Sequence, residues 1–501
     1  MSNEIIYQKA KDLSSPFTFA SGEAAIILAA GHGKRIKSHR SKMLHSIWGV
    51  TTVERVYNAC TAAIPELNTV VVVGIKASDV MDVFGKRERN AFAFQEEQKG
   101  TGHAVQVGLE GLGKNNFKGT VYVLPGDMGL IDKETIADFK KNFHESKSDM
   151  MVLTGKFSGP AEQNSYGRIV RVKEFDKAGK PSGKDHNNVI EIIEHKDILA
   201  IKEGEEYILT YKNRKYSFTR EELLNIPEYN SGVYAFDNEK LNELVFQLSS
   251  NNAQNEIYIT DLIGAFNKKG YTVSASSPKE DYVVMGFNDK AVLKEMENIY
   301  RKNVYDKIKN LVEIDDPDDF FIDDEIVDRI VTLDKQGELF DIRLGKGVYI
   351  GKGVHLNYNI ELKRNVFLDG NVHLGKNVVI WENVHLSCFA HQKLLIGDNV
   401  EILWGDIIKG DIEIGENSRI ESSVNMTGND EFPLRIGKNV LIKGTSYVFG
   451  CIIEDDIYIE HSVLIKKHIN RLVKRNGDIQ RVRFYLPMPS GIDAVENLNT
   501  K

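Results

Sequence analysis

Between about residue 24 and 300, short apolar runs alternate with stretches of helical spacing. AAIIL, VVVVG (Val70 to Gly74) and VYVL (Val121 to Leu124) read as buried strands, and TTVERVYNACTAAI reads as a helix. Strands alternating with helices predict an α/β unit with a mostly parallel sheet covered on both faces.

Beyond residue 340 the period changes. Every sixth residue is aliphatic at Ile342, Val348, Val354, Ile360, Val366, Val372, Val378 and Val384. The same holds two residues further on, at Leu344, Ile350, Leu356, Leu362, Leu368, Leu374, Ile380 and Leu386. Residues two apart on a strand share a face, so a repeat of six predicts a parallel β-helix whose stacked coils bury a continuous aliphatic core. Weaker copies at Ile396/Ile402, Ile414/Ile420, Ile436/Ile442 and Ile457/Ile459 carry the array to about residue 466. With three hexapeptides per coil, His355 and His373 stack outward on one face as surface residues.

EIDDPDDFFIDDEIVD, Glu313 to Asp328, places nine acids in sixteen residues between the halves and reads as a solvated entry to the first coil rather than a metal site. A chain of 501 residues exceeds one ordinary core. A net charge of -8 gives no general attraction to nucleic acid or anionic membrane. Cys60, Cys388 and Cys451 are few, distant and odd in number, which fits a reducing cytoplasm and neither a disulfide framework nor a zinc set. The first 22 residues lack the pattern of a secretory signal, and Ala24 to Ala30 is too short to span a bilayer, so neither export nor anchoring is expected.

The strand AAIILAA runs into LAAGHGKRIKSHRSKMLH, which carries Lys34, Arg35, Lys37, Arg40 and Lys42. Glycine at 31 and 33 allows positive φ and close backbone approach, so successive N–H groups are free to face an anion while the cations add charge. A phosphate-binding loop is expected. It lacks the third glycine and acidic partner of the dinucleotide fingerprint and the G-K-[ST] ending of a P-loop.

L-A-A-G-x-G-x-R followed by Lys42 resembles the signature of the sugar nucleotidyltransferases. Further pieces follow in one order: QEEQKGTGHAV, PGDMGLI, SYGRIVR, IIEHKD, YNSGVYAF, AQNEIYITD and GFNDKAVL. Together they resemble the N-acetylglucosamine-1-phosphate uridylyltransferase half of the bifunctional bacterial family that makes UDP-N-acetylglucosamine, which also carries a β-helix. The resemblance implies a Rossmann-like nucleotidyltransferase domain followed by a hexapeptide-repeat left-handed parallel β-helix that assembles trimers. The implied reaction joins UTP to a sugar-1-phosphate and releases pyrophosphate, with Mg2+ as cofactor. Arg35 and Lys42 are then the catalytic cations, and Asp127 and Asn288 the metal ligands, matching the preference of Mg2+ for few protein oxygens plus phosphate and water. Leu28, Ala29, Ala30, Gly31, Gly33, Gln95, Gln98, Gly100 and Thr101 are implied to bind the nucleotide, and Gly167, Glu194 and Asn230 the sugar. His103 reads as a packing residue at a helix start.

The expected organisation is an N-terminal extension (1–23), the nucleotidyltransferase domain (24–300), a linker helix with the acidic entry (301–328), the β-helix (329–466) and a basic tail (467–501). Ser41 stands where the family usually has proline and Pro125 where a tyrosine or similar residue is usual, and a polar insertion runs from about Glu203 to Arg220. No segment matches the asparagine-tyrosine-aspartate-glycine run and histidine base of the family's acetyl-transfer site, so that activity is expected to be absent. CFAHQKLLIG and SVNMTGND do not align with it, and His391 reads as a solvated loop residue. The tail KKHINRLVKRNGDIQRVRF reads either as an anion or partner site or as a cap on the solenoid. The competing expectations are a bifunctional enzyme with a diverged acetyl-transfer site, a uridylyltransferase for another sugar, and a non-catalytic sugar-nucleotide scaffold.

Overall fold

The protein's structure is a computed structural model that describes residues 2–18, 22–31, 33–113, 117–161, 164, 166–250, 256–337 and 341–485. Ser165, Ala253 to Asn255 and the last sixteen residues of the tail lie outside the described residues. The chain divides into two compact units, Met1–Glu297 and Asn298–Lys501.

The strands of the first unit are β1 (Glu23–Ala29), β2 (Ser46–Ile47), β3 (Val50–Thr51), β4 (Asn68–Val73), β5 (Asn90–Phe94), β6 (Thr120–Pro125), β7 (Met150–Lys156), β8 (Arg168–Arg171), β9 (Val189–Ile193), β10 (Glu206–Tyr211), β11 (Arg214–Thr219), β12 (Glu228–Asp237) and β13 (Val273–Ser276). The main sheet has the order β13, β7, β12, β6, β1, β4, β5, with β8 and β9 branching from β12. Alternate residues serve opposite faces: Ala25, Ile27 and Val71 enter one apolar cluster, whereas Ala24, Ile26, Val70 and Val72 enter the other. Burial on both faces is why these strands read as unbroken apolar runs. The sheet is parallel through β6, β1, β4 and β5. It is mixed at β12, which runs antiparallel to β6 and β7. β1, β4 and β6 end at one edge, where Gly126 N–H donates to the Leu28 carbonyl at 2.9 Å.

The extension forms helix α1 (Asn3–Leu13), and the segment after it covers edge strand β5. Ser15 N–H donates to the Asn90 carbonyl at 2.8 Å, and Ser14 Oγ accepts from Phe92 N–H at 3.0 Å. Such cover removes unpaired edge groups from contact with other chains. The polar insertion folds as the β10–β11 hairpin, turning through Lys212 (φ 46°) and Asn213 (φ 63°), which fits the left-handed pair a tight hairpin prefers. Leu209, Tyr211, Tyr216 and Phe218 pack with Val170, Val172, Ile190 and Ile193, so the insertion thickens the β8–β9 branch.

The second unit is a left-handed β-helix of three parallel sheets, which among the described residues have eight, eight and six strands. Ile342 pairs with Ile360 and Ile360 with Val378, a coil of three hexads, and all sixteen aliphatic positions of the repeat are buried. His355 and His373 stack with ring centroids 4.1 Å apart. The first rung precedes the boundary expected at 329: Val312–Ile314 pairs with Ile342–Leu344, and Phe320–Ile322 with Val348–Ile350. The acidic segment therefore belongs to the solenoid, its Phe320 and Ile322 buried between exposed acids. The array also passes 466, with His468–Ile469 pairing with Ile452–Ile453. Of the two readings of the tail, the cap is the one with contacts: Glu460 N–H donates to the Val482 carbonyl at 2.8 Å, and Arg483 pairs with Glu460 at 2.7 Å.

Corners of the coils take left-handed backbone at Asn359, Asn377, Asn399, Asn417 and Asn439, all with φ between 54° and 58°. Asparagine tolerates this region because its short amide bonds locally. Here it also bonds across coils: Asn359 to Asn377 at 3.0 Å, Asn377 to Asn399 at 2.9 Å and Asn399 to Asn417 at 3.0 Å.

Candidate active site

The turn after β1 places its two glycines differently. Gly33 uses the left-handed freedom of glycine, at φ 61°, whereas Gly31 does not. A Cβ at Gly33 would lie 2.7 Å from Lys42 Cβ, so only glycine lets the turn rest on the lysine stem. A Cβ at Gly31 would meet Met43 at an ordinary 3.7 Å.

Lys42 begins a short 3-10 turn and is 9% exposed. Its ammonium pairs with the Asp127 carboxylate and donates to Asn288 Oδ1 at 3.2 Å, 5.2 Å above the Phe287 ring. A buried ammonium is costly unless paired, and these groups pair it. The three residues come from the loop after β1, the turn after β6 and the segment before the helix Lys290–Ile308, and only folding brings them together. Asp127 and Asn288 converge on the lysine. The two oxygens meet one cation, so one carboxylate and one amide make a donor set that a hard divalent ion with phosphate and water ligands accepts. Among the described residues no three His, Cys, Asp or Glu side chains cluster as metal ligands.

Arg35 is exposed on the 3-10 turn Lys34–Ile36, with no ion pair among the described residues. Other cations border the turn: a recess of about 120 Å3 is lined by Gly31, Gly33, Lys37, Arg40, Ser41 and Lys76. Lys76 holds a left-handed φ of 59° just after β4. The His45 imidazole is pushed below its usual range by burial first, then by Arg40 and Lys290, a sign of the positive field at this edge.

The nucleotide pieces close on Gly74, where a Cβ would meet both the Ala30 carbonyl and Gln98 Nε2 at 2.8 Å. Leu28 and Ala29 end β1 beside this point. Gln98 Nε2 donates to the Gln95 carbonyl at 3.0 Å. Gly100, at φ 104°, is the N-cap of helix α2 (Thr101–Leu112). Thr101 Oγ1 accepts from Ile259 N–H at 3.2 Å, so its hydroxyl braces a neighbouring segment.

The sugar pieces meet around the bulge of β12. Asn230 N–H donates to the Gly167 carbonyl at 3.0 Å, and a Cβ at Gly167 would stand 3.1 Å from Glu194 Oε1. Asn230 Oδ1 accepts from Gly232 N–H and Tyr234 Oη, both at 3.0 Å, which leaves its NH2 for a ligand. Gly232 in turn abuts Pro125, where a Cβ would lie 3.0 Å from Cγ, so the sugar bulge touches the strand end that leads to Asp127. Glu194 faces solvent, yet enough protein surrounds it that desolvation first and Asp197 second raise its carboxyl.

Residues 25–174 match the family described as MobA-like NTP transferase domain. The first unit carries a nucleotidyltransferase domain. The chain is similar to the bifunctional protein GlmU of Acetivibrio thermocellus, 36% identical over 304 residues that cover 60% of this chain and 57% of that protein. It is also similar to the bifunctional protein GlmU of Lactobacillus gasseri, at 35% with 60% and 57% covered, and of Streptococcus gordonii, at 33% with 65% and 64% covered. The chain thus spans less than two thirds of these relatives' length. A solved UDP-glucose pyrophosphorylase complexed with UDP-glucose shares 15% identity with a TM-score of 0.40, covering 56% of this chain and 99% of that one, too slight a likeness to argue from.

Reasoning from the sequence missed several residues of the nucleotidyltransferase unit. Lys76 follows the apolar run VVVVG by two residues, a position that strand-end logic flags. Arg168 is fully buried, its guanidinium donating to the Tyr166 carbonyl and to that of Asn164 at 2.7 Å, and it stiffens the turn that presents Gly167. No local pattern announces it.

Proposed function

We propose that the protein joins UTP and N-acetylglucosamine-1-phosphate into UDP-N-acetylglucosamine and releases pyrophosphate. The observation that carries this reading is the convergence of Lys42, Asp127 and Asn288 beneath the Gly33 turn. In that reaction a sugar-phosphate oxygen bonds to the α-phosphorus of UTP while the bond to the bridging oxygen breaks and its electron pair leaves with pyrophosphate. The protein's part is to align the two phosphates and to offset crowded negative charge.

Lys42 faces the α-phosphate from its buried seat, while Arg35 and the turn's N–H groups receive the β- and γ-phosphates. Lys37, Arg40 and Lys76 extend the same positive wall. Asp127 and Asn288 would hold Mg2+, which supplies charge neutralisation to the phosphates. Gln95, Gln98 and the backbone at Gly100 and Thr101 read uracil, and Gly167, Glu194 and Asn230 hold the sugar. The protein works in the cytoplasm as a homotrimer through its β-helix, and acetyl transfer is absent.

Full-length protein with UTP, Mg2+ and a panel of sugar-1-phosphates tests this by pyrophosphate release. The fastest turnover is expected with N-acetylglucosamine-1-phosphate. Release with none of the panel refutes the reading. A second reading, another sugar-1-phosphate, draws on the β10–β11 hairpin that thickens the branch beside Glu194, and the same panel identifies it.

A further inference from the structure

Gln95 is 3% exposed, and its amide is committed on one side only. Its Nε2 lies 3.2 Å from the Gly100 carbonyl oxygen and 3.1 Å from His103 Nδ1. A backbone carbonyl only accepts, so the atom facing Gly100 must be the amide nitrogen, whichever way a side-chain amide is first assigned. Both amide hydrogens are then used, one toward Gly100 and one toward His103. Nδ1 of His103 must accept, which places the imidazole proton on Nε2. Oε1 is the one polar atom of the Gln95 amide without a hydrogen-bond partner among the described residues, and it is an acceptor.

That assignment decides which base the site takes. Uracil offers N3–H, a donor, beside a carbonyl oxygen; cytosine offers a lone pair at N3 beside an amino group. An acceptor locked in place attracts the first and repels the second, whereas a freely turning amide suits both. We propose that His103 is a positioning residue that locks the Gln95 amide with its oxygen toward the base and so selects uridine over cytidine nucleotides. This rests on the reading of Gln95 as the base-reading group. His103 is one helical turn from Gly100, so the start of α2 supplies both anchors, the Gly100 carbonyl and the imidazole.

The test measures kcat/KM for UTP and for CTP by pyrophosphate release, in the full-length wild type and the variants His103→Ala, His103→Asn and Gln95→Ala, with melting temperatures alongside. His103→Ala is expected to lower the UTP-to-CTP ratio by about tenfold at an unchanged melting temperature, because the amide keeps only the Gly100 carbonyl as anchor and its oxygen is held less firmly toward the base. His103→Asn is expected to restore the ratio, since Asn Oδ1 falls near the place of Nδ1 and accepts the same hydrogen. A His103→Ala ratio equal to wild type, with Gln95→Ala losing it, overturns the role of His103 alone. A wild type that does not prefer UTP, or a Gln95→Ala variant that keeps the preference, overturns the base-reading assignment and this inference with it.

Discussion

Asp127 and Asp406 are both withdrawn from water, one at a strand end of the nucleotidyltransferase unit and one inside the solenoid, and they are treated oppositely. Asp127 meets the Lys42 ammonium, with Asn288 on the same cation. Asp406 is 0% exposed in an interior row that reads Val366, Val384, Asp406, Val424. Its Oδ1 accepts from Val424 N–H at 2.7 Å, and its Oδ2 has no partner among the described residues. Desolvation lifts its carboxyl to about 8, against the pull of the Val424 and Ser423 N–H groups. The first aspartate is met by a cation. The second is a charge that the fold removes by protonation.

The contrast is broken most forcefully at Asp127. Asp127→Asn keeps the volume and discards the charge, and kcat/KM for pyrophosphate release is expected to fall on the order of a hundred- to a thousandfold. A rate within twofold of wild type would remove Asp127 from the reaction, whatever pairs with Lys42.

Asp406 sharpens the other side. Its folded pKa lies above the unfolded carboxylate value, so between about pH 4 and pH 8 the folded chain holds a proton that the unfolded chain has lost. Stability is therefore expected to fall as pH rises through that window, by on the order of a few kcal/mol. Asp406→Asn should flatten the slope and leave the variant more stable than wild type at pH 8. Thermal melts at pH 5 and pH 8 read this directly; equal slopes in the two proteins would show that Asp406 is not the group responsible.

The two glycines of the phosphate turn separate by a smaller margin. Gly33→Ala must fit a Cβ 2.7 Å from Lys42 at a left-handed φ, so the turn shifts and kcat/KM is expected to drop about tenfold. Gly31→Ala is expected to stay near wild type. Equal losses in both would mean that the turn is read by its backbone along its whole length. The smallest expected effect is at an asparagine corner of the solenoid: Asn377→Ala loses bonds to both neighbouring coils at a φ of 57° and should cost about 1 kcal/mol in melts of the purified protein.

These residues also show what was legible beforehand. The aliphatic hexads were plain because every coil repeats them, and a buried row admits few exceptions. The asparagine ladder went unread because an asparagine between two aliphatic hexads looks like any turn residue; only the eighteen-residue coil reveals that it stacks. Lys42, Asp127 and Asn288 were named from a resemblance, but their mutual pairing was invisible, since the separations of 85 and 246 residues carry no local signal. The antiparallel course of β12 escaped for a related reason: an apolar run does not encode its direction, and strand alternation with helices favours the parallel guess. His103 was read as packing because a helix-start histidine usually packs, and its bond to Gln95 depends on how a loop folds back.

On the proposed reading, UTP is cleaved between its α- and β-phosphates at the cluster beneath the Gly33 turn. Lys42→Met tests it most directly, because the methionine keeps the apolar stem against Gly33 and Phe287 while removing the ammonium. With UTP, Mg2+ and N-acetylglucosamine-1-phosphate, the wild type is expected to release pyrophosphate and form the UDP-sugar one for one, and the variant to do neither above background. A folded Lys42→Met protein turning over at the wild-type rate would show that the Lys42 ammonium has no part in the reaction.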